Sequence, residues 1–178
     1  MMALQLVFPS EEWGDQVLCY RAECLEAGDN SLAGTAGLAE AGSFAAWLAA
    51  VRRNRREETA LPGMVPATTL LAVRPEDGRL VGMIDIRHRL NDYLLQFGGH
   101  IGYSVRPSQR RRGYAKEMLR QGLARCQEMG LVRVLVTCDR DNRASARTIL
   151  ACGGVLEDER EREDGGVTQR YWIALPPA

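Results

Sequence analysis

YSVRPSQRRRGYAKEML, residues 103–119, combines an apolar strand, a turn with three adjacent arginines and the start of a helix. The strand pattern ends at Pro107, and from Gly113 onward apolar residues recur at helical spacing. A helix N-terminus exposes unpaired backbone N–H groups and the positive end of the helix dipole. Gly113 has no side chain to block a ligand, and arginine pairs well with phosphate oxygens. The segment therefore predicts an anion site that suits a pyrophosphate.

The composition of the chain is that of a globular protein without net charge. Of its 178 residues, 46% are hydrophobic and 26% are charged, so we expect a proper core and one domain over residues 1–178. Lysine plus arginine and aspartate plus glutamate both number 23, so no overall field attracts a polyanion and we expect no nucleic-acid partner. Arginine clusters at 52–56 and 106–112 keep nucleic-acid binding open as an alternative, which predicts an affinity that falls steeply with salt.

Cysteines and apolar runs bear on the location of the protein. The five cysteines form no CxxC pair, and no basic-then-apolar leader precedes the first strand. We expect reduced thiols buried as small core side chains, no metal site and a cytoplasmic location. No apolar run approaches the roughly 20 residues that span a bilayer, so we expect neither a membrane segment nor a membrane partner.

Hydrophobic periodicity predicts the element order β-α-α-β-β-β-α-β-α-β-β, in the α/β or α+β class with a mixed sheet. Ser10 and Ser43 are predicted to cap the first two helices, and the Gly- and Ala-rich residues 31–42 to form a mobile connection. Residues 132–139 form an almost continuous apolar run, typical of a strand inside a mostly parallel sheet. The helix after the glycine turn is predicted to bury one face, made of Ala115, Met118, Leu119, Gly122, Leu123, Cys126 and Met129.

Arg110, Gly113 and Ala115 resemble the acetyl-CoA signature Arg/Gln-x-x-Gly-x-Gly/Ala of the GNAT superfamily of N-acetyltransferases. The resemblance extends over residues 80–175, and residues 137–154 resemble the next strand and helix of that family. It implies an α/β (α+β) fold with a mixed, mostly antiparallel central sheet, splayed central strands and flanking helices. It also implies acetyl-CoA or coenzyme A as the co-substrate. A structural turn with solvent-facing arginines is the alternative.

The resemblance implies where the cofactor lies. In this family the pantetheine arm passes between the splayed fourth and fifth strands and forms strand-like backbone bonds, here near Ser104 and Val105. Asn142 matches an asparagine that contacts this arm, Ser145 lies one turn further along, and Gly153 matches a glycine at the helix end. The implied cofactor contacts are Ser104, Val105, Arg110, Arg111, Arg112, Gly113, Tyr114, Ala115, Asn142 and Ser145.

The resemblance also implies direct attack of a free amine on the thioester carbonyl. This reaction requires removal of a proton from the ammonium and protonation of the leaving thiolate. Many family members supply the second proton from a tyrosine, but alignment on Asn142 and Gly153 places Ile149 there, and isoleucine cannot donate a proton. Another group or water then acts as the acid, or the thiolate leaves unassisted.

Three strand residues are catalytic candidates, each with a structural alternative. His100, with an ordinary pKa of about 6.5, takes a proton through a water, or it bonds a carbonyl at the start of a strand. Asp85 attracts a cationic amine, or it pairs with Arg87 or His88. Tyr103 reaches the thioester with its hydroxyl, or it packs in the sheet.

The sequence therefore predicts an acetyl-CoA-dependent N-acyltransferase that moves an acetyl group to a primary amine in a ternary complex. The acceptor is expected to be a small-molecule or peptide amine, and no motif encodes its identity. The missing tyrosine permits the alternative of a coenzyme A sensor without catalysis. Transfer to a protein N-terminus, or from a longer acyl donor, also stays open, as does a homodimer.

Overall fold

The computed structural model describes residues 3–177 and contains one open sheet of seven strands in the order β1-β2-β3-β4-β5-β7-β6. The strands are β1 (Gln5–Val7), β2 (Ala67–Arg74), β3 (Arg79–Arg87), β4 (Ile101–Val105), β5 (Arg133–Asp139), β6 (Val155–Glu161) and β7 (Val167–Ala174). The helices are α1 (Gly14–Glu26), α2 (Phe44–Arg53), α3 (Tyr114–Glu128) and α4 (Arg143–Ala151). The element order agrees with the prediction, and the mixed, mostly antiparallel sheet confirms the predicted fold class.

β4 and β5 are parallel neighbours at the centre of the sheet, and the other neighbouring pairs are antiparallel. A single bridged pair, Ile101 with Val136, joins the two strands before they diverge. The expectation of a mostly parallel sheet around residues 132–139 is wrong, because β5 pairs antiparallel with β7 along its whole length. β5 is apolar because both of its faces are buried: Val134 and Leu135 point to opposite sides and neither is exposed.

Helices cover both faces of the sheet. Side chains alternate along each strand, so α3 and α4 pack against one set, which includes Ile84 and Val134. α1 and α2 pack against the other set, which includes Leu71 and Met83. Full burial of one such side chain stabilises the fold by about 1.5–3 kcal/mol. Because both faces are covered, a ligand reaches the middle of the sheet only where β4 and β5 separate or from the edge of a helical layer.

Of the two helix caps predicted near the N-terminus, Ser43 is confirmed and Ser10 is not. Ser43 accepts a hydrogen bond from the backbone N–H of Ala46 at 3.1 Å and caps α2, as predicted. Ser10 does not cap α1, because a 3₁₀ turn over Glu11–Trp13 intervenes and α1 begins only at Gly14.

Two expectations about burial need correction. Five residues of the predicted α3 face are buried: Met118, Leu119, Gly122, Leu123 and Cys126. Met129 follows the last helical residue and is 43% exposed, so its place on that face is wrong. All five cysteines are free, but Cys19 is exposed and Cys138 and Cys152 are only half-buried, so uniform burial of the thiols is wrong as well.

Residues 31–42, predicted as a mobile connection, pack against the sheet instead. Three of their side chains are buried: Leu32, Thr35 and Leu38. The indole Nε1 of Trp47 donates to the carbonyl oxygen of Thr35 at 2.7 Å. Gly34, at φ +74°, crosses β4 so closely that a Cβ would lie 2.5 Å from the carbonyl oxygen of Gly102. Only glycine permits this crossing, and the segment forms a wall beside the centre of the sheet.

Candidate active site

The turn between β4 and α3, which we name the glycine loop (Arg110–Gly113), is built as an anion site. Gly113 has φ +83° and is the N-cap residue of α3. No side chain within residues 3–177 caps this helix, and its first backbone bond joins Glu117 N to the Gly113 carbonyl oxygen. The earlier N–H groups of the first turn therefore stay available to a ligand. No atom of the described residues lies within 4 Å of the position that a Gly113 Cβ would take, so the loop fits a phosphate.

The three arginines of the glycine loop differ in their partners. Arg110 donates from Nε to the Val105 carbonyl oxygen at 3.0 Å and from Nη2 to Asp29 at 3.3 Å, so it holds the loop to the body of the protein. Arg111 and Arg112 are exposed, and neither forms an ion pair with a described residue. Arg111 has φ +65°, a left-handed conformation that costs about 1 kcal/mol for a residue with a Cβ. The free charge of the loop therefore belongs to Arg111 and Arg112.

Tyr114 and Ala115 position the glycine loop from the core side. Arg74 Nη1 donates to the Tyr114 hydroxyl at 3.2 Å and to Gln109 Oε1 at 2.9 Å. Ala115 is half-buried against the cluster beneath α3. The Tyr114 hydroxyl is thus turned to β2, whereas the backbone N–H groups of this turn face the ligand side.

β4 presents an open row of backbone groups to the gap beside β5. In an antiparallel pair, residues that exchange backbone bonds alternate with residues that do not. The N–H of Arg106 bonds to β3 at 2.8 Å, which fixes the alternation. Gly102 and Ser104 therefore bond to β3, whereas Tyr103 and Val105 turn their N–H and C=O groups toward β5, where the Val105 carbonyl oxygen also accepts from Arg110 Nε at 3.0 Å. The open edge is suited to hydrogen bonding with an extended, amide-containing ligand.

Ser104, an implied cofactor contact, has no group turned to this gap. Its backbone N–H and C=O groups bond to β3, and its hydroxyl lies 2.7 Å from the hydroxyl of Tyr20 on α1. Both residues are buried, and burial raises the pKa of Tyr20. The strand-like bonds expected near Ser104 and Val105 therefore fit Tyr103 and Val105.

The gap opens into a cleft of about 240 Å³, which we name the β4–β5 cleft. Tyr103, Asn142 and Ser145 line it. The Tyr103 hydroxyl and Ser145 Oγ lie 2.9 Å apart, and Asn142 Oδ1 accepts from the Ser145 N–H at 3.1 Å as the cap of α4. This cap leaves the amide nitrogen of Asn142 as a donor. Burial raises the pKa of Tyr103 to about 12, so its hydroxyl keeps its proton at neutral pH.

A larger cavity of about 500 Å³ lies on the α1–α2 side of β2 and β3, and we name it the β2–β3 cavity. Met64, Val65 and Leu94 contribute apolar wall. Of the described residues that line it, only Asp85 and Arg87 carry charge. Tyr93 lines both this cavity and the β4–β5 cleft, so the two spaces adjoin.

Asp85 sits in the wall of the β2–β3 cavity and is held at both oxygens. Thr69 Oγ1 donates to Oδ1 at 2.9 Å, and Arg87 Nε lies 3.1 Å from Oδ2. His88, the other partner considered from the sequence, bonds Thr68 Oγ1 at 2.7 Å instead, and burial lowers its pKa. Asp85 therefore forms an ion pair and faces the cavity at the same time.

Arg87 is a site residue that the sequence analysis considered only as a partner of Asp85. Its Nη1 donates to the Gly98 carbonyl oxygen at 3.2 Å. A Cβ on Gly102 would lie 3.4 Å from both Nη1 and Nη2, so the guanidinium rests against β4 where glycine leaves room. The sequence spacing indicates that Arg87 shares the site with Asp85, because residues two apart on a strand point to the same face.

His100 joins β4 to β5 and lines neither the cleft nor the cavity. Its backbone N–H donates to the Leu135 carbonyl oxygen at 2.8 Å, and its Nδ1 accepts from the Leu135 N–H at 2.9 Å. Burial, with the charge of Arg87 as a smaller cause, lowers the pKa of His100 to about 4. The neutral ring therefore carries its proton on Nε2 and has no free lone pair, so we do not retain His100 as a candidate base.

Ile149, at the position where the resemblance implies a tyrosine, is completely buried in the cluster beneath α4. A Cβ on Gly154 would lie 2.5 Å from Ile149 Cγ2, so the chain closes tightly over this side chain. Gly153, at φ +93°, ends the helix as predicted. The cleft instead has the paired hydroxyls of Tyr103 and Ser145, and Ser145 lies one turn before Ile149.

Other classes of ligand were also considered. Within residues 3–177, no helix has both the length and the apolar character needed to cross a membrane. Over the same residues, no three His, Cys, Asp or Glu side chains gather as a metal site. Both arginine clusters are partly paired within the protein: Arg52 lies 2.7 Å from Glu11, and the buried Arg106 lies 3.2 Å from Glu23.

Comparison with known proteins adds independent findings. An acetyltransferase (GNAT) domain family matches residues 29–155. No curated protein sequence gives a significant match. RimL, a ribosomal L7/L12 α-N-protein acetyltransferase solved with coenzyme A, is similar in structure, with a TM-score of 0.73 and 16% identity over 98% of this chain and 96% of that chain.

Two further solved structures have the same fold. The microcin C7 self-immunity acetyltransferase MccE, solved with acetyl-CoA and AMP, gives a TM-score of 0.71 and 15% identity over 98% of this chain and 94% of that chain. A Bordetella pertussis protein named as a GNAT-family acetyltransferase gives a TM-score of 0.70 and 20% identity over 98% of this chain and 97% of that chain. At these identities the structures show the fold alone. The family match, however, spans the glycine loop, α4 and all of the cleft lining except Arg162 and Thr168, and this chain belongs to the GNAT acetyltransferase family.

Proposed function

We propose that this protein is an acetyl-CoA-dependent N-acetyltransferase that transfers the acetyl group to a primary amine by direct attack in a ternary complex. One observation carries the proposal: the β4–β5 cleft and the β2–β3 cavity adjoin at Tyr93. A donor in the cleft therefore meets an acceptor in the cavity. Related folds solved with coenzyme A and with acetyl-CoA are consistent with this donor.

The chain offers three groups of contacts to the donor. Arg111, Arg112 and the first N–H groups of α3 hold the phosphates. The backbone groups of Tyr103 and Val105 pair with the amides of the pantetheine arm, as an added strand would. Asn142 donates from its amide nitrogen on the opposite wall. Bound in this way, acetyl-CoA supplies the thioester that is attacked.

Asp85 prepares the acceptor for attack. Its carboxylate in the wall of the β2–β3 cavity attracts an ammonium group and accepts the proton, directly or through a water. The freed lone pair then forms the C–N bond with the acetyl carbonyl carbon. An N–H group on the open edge of β4 that the pantetheine arm leaves unpaired is available to the negative charge that develops on the carbonyl oxygen.

Tyr103 assists departure of the thiolate when the C–S bond breaks. Its pKa is raised to about 12, whereas a thiol has a pKa of about 8.5, so complete proton transfer from tyrosine is unfavourable. The hydroxyl, held by Ser145 at 2.9 Å, instead donates a hydrogen bond to the thiolate. Solvent takes the second proton that the attacking nitrogen loses as the amide forms and supplies the proton of the free thiol. This arrangement needs no tyrosine at position 149.

A coenzyme A sensor is the second candidate function, and the buried Ile149 is the observation that favours it. A sensor binds the cofactor but lacks a group that assists the leaving thiolate. It differs from the enzyme in one measurable respect, because no amine accelerates the release of coenzyme A.

Thiol release from acetyl-CoA, measured across a panel of amino acids, polyamines and peptides with free N-termini, separates the two functions. We expect at least one amine to give saturable thiol release and an N-acetylated product by mass spectrometry. Cofactor binding by calorimetry without acetylation of any amine would establish the sensor. Absence of cofactor binding would contradict both functions.

A further inference from the structure

We infer, on the basis of the proposed function, that the acceptor is an α-amino acid or a close small analogue, and that Arg87 binds its carboxylate. The β2–β3 cavity holds one acid and one base side by side among the described lining residues. A zwitterion complements this pair, since its ammonium faces Asp85 and its carboxylate faces Arg87. The volume of about 500 Å³ suits a small ligand.

Arg87 keeps donors free for such a carboxylate. A guanidinium has five N–H donors, of which Nε is directed to Asp85 at 3.1 Å and Nη1 donates to the carbonyl oxygens of Gly98 at 3.2 Å and Gly99 at 3.5 Å. Nη2 forms no hydrogen bond with the described residues. Asp85, Gly98 and Gly99 fix the plane of the guanidinium, and the two N–H donors of Nη2 are the part that pairs with a carboxylate.

The position of Arg87 sets the distance between the two charged groups of the acceptor. Its guanidinium lies 3.4 Å from the point where a Gly102 Cβ would project, so it rests against β4, the strand along which the proposed donor lies. A carboxylate bound there and an amine that attacks there must be close neighbours in the acceptor. An α-amino acid, with one carbon between the two groups, meets this requirement.

Other parts of the cavity agree with such a ligand. Asn54 lines the cavity, and its Oδ1 is buried without a hydrogen-bond partner in the described structure. A buried acceptor without a donor costs about 1–3 kcal/mol, so a ligand with N–H donors is favoured. Met64, Val65 and Leu94 leave apolar room for a side chain.

Two other classes of amine fit the charges less well. A polyamine brings several positive charges and no anion, so Arg87 repels it. A protein N-terminus brings an ammonium followed by a neutral amide, which leaves the free edge of Arg87 without a charged partner. The free carboxylate is therefore the group that distinguishes the inferred acceptor.

Calorimetry on the coenzyme A-saturated protein tests this inference by binding, without reference to turnover. The probes are the twenty common L-amino acids, each beside its carboxamide. We expect at least one amino acid to bind, and its amide to bind about 10–100-fold more weakly, since a hydrogen-bonded charge pair is lost. Binding of no amino acid, or equal binding of acid and amide, would overturn the inference.

Arg87→Gln should abolish the preference of acid over amide while coenzyme A affinity persists. Arg89→Gln is the matched control, because Arg89 is exposed, pairs with Glu57 at 2.6 Å and does not line the cavity. Arg87→Lys, which keeps the charge but loses the fork, should retain part of the preference if Arg87→Gln fails to fold. An Arg87→Gln enzyme that loses kcat equally with acid and amide would assign Arg87 to the oxyanion and contradict the inference.

The outcomes also separate this inference from the proposed function. If an amine without a carboxylate is acetylated as fast as the best amino acid, the proposed acetyltransferase activity is supported and the inferred amino acid acceptor is contradicted. If an amino acid binds with the expected preference but no amine accelerates thiol release, the inferred amino acid site is supported and the proposed acetyltransferase activity is contradicted.

Discussion

The β4–β5 cleft and the β2–β3 cavity meet at Tyr93 but offer different chemistry. The donor side offers backbone groups at the open edge of β4 and in the first turn of α3, and the side chains of Tyr103, Asn142 and Ser145 line the cleft between them. The cavity presents side chains, with the Asp85–Arg87 pair set in a largely apolar wall. Backbone groups persist whatever the side chains are, whereas each side chain of the cavity is separately replaceable. This division suits the proposed function, in which one constant donor meets a specific acceptor.

The division predicts that single substitutions act on one space without the other. A change at the glycine loop should remove the donor and spare the fold. A change in the wall of the cavity should alter the use of the acceptor and spare donor affinity. Variants that disturb both spaces equally would show that the cleft and the cavity are one unit.

Gly113→Glu has the largest expected effect. The glutamate carboxylate would occupy the phosphate site at the glycine loop. Its repulsion of the phosphates should weaken coenzyme A binding about 1,000-fold, as measured by calorimetry. Gly130→Glu is the matched control, because Gly130 also has positive φ and no described atom near its Cβ position, but it lies at the other end of α3. Equal affinities in the two variants would remove the glycine loop from the donor site.

His100 should make the protein sensitive to acid. Its pKa is lowered from 6.5 to about 4, so below pH 6.5 the unfolded chain takes up a proton that the folded chain excludes. Stability is complete above pH 6.5 and falls as the pH drops toward 4, by up to about 3 kcal/mol. The free energy of unfolding of the wild type and of His100→Gln, measured at pH 7 and pH 4.5, checks this. An unchanged pH dependence in the variant would contradict the assignment.

Tyr103→Phe should lower kcat about 10–100-fold, because the charged thiolate loses the hydrogen bond that the Tyr103 hydroxyl donates to it. Coenzyme A affinity should change little, since the backbone edge stays in place. Tyr171→Phe is the control, because that hydroxyl bonds Gln169 at 2.8 Å outside the cleft. Full activity in Tyr103→Phe would mean that the thiolate leaves without help from this residue.

Gly34→Ala should destabilise the fold by about 2 kcal/mol and raise KM for the acceptor, because a Cβ at φ +74° would lie 2.5 Å from the Gly102 carbonyl oxygen. Gly28→Ala shares the positive φ but meets no described atom within 4 Å, so it controls for backbone strain alone. Thermal unfolding and steady-state kinetics measure both effects. Loss of donor affinity in Gly34→Ala but not in Gly28→Ala would break the division between cleft and cavity.

Contiguous features were the ones that the sequence could predict. The element order, the glycine loop and the Ser43 cap each depend on residues close together in the chain, so period and spacing reveal them. The packing of residues 31–42 could not be predicted, because Gly34 and Gly102 meet only after the sheet has formed. Composition alone made that segment resemble a mobile linker.

Features that depend on strand register could not be predicted from the sequence. A pattern of period two shows that Ser104 and Tyr103 point to opposite faces, but it does not show which backbone bonds belong to β3. The same limit applies to His100, whose bond partner Leu135 lies on another strand. Arg87 became a site residue only when the structure placed its guanidinium against Gly102.

Amide hydrogen exchange along β4, measured by NMR with and without coenzyme A, tests the central claim most directly. The register predicts that the amides of Gly102 and Ser104 are protected in both states, because they bond to β3. The amides of Tyr103 and Val105 should exchange quickly in the free protein and slowly once coenzyme A is bound. Exchange at Tyr103 and Val105 that coenzyme A leaves unchanged would contradict the placement of the donor on this edge.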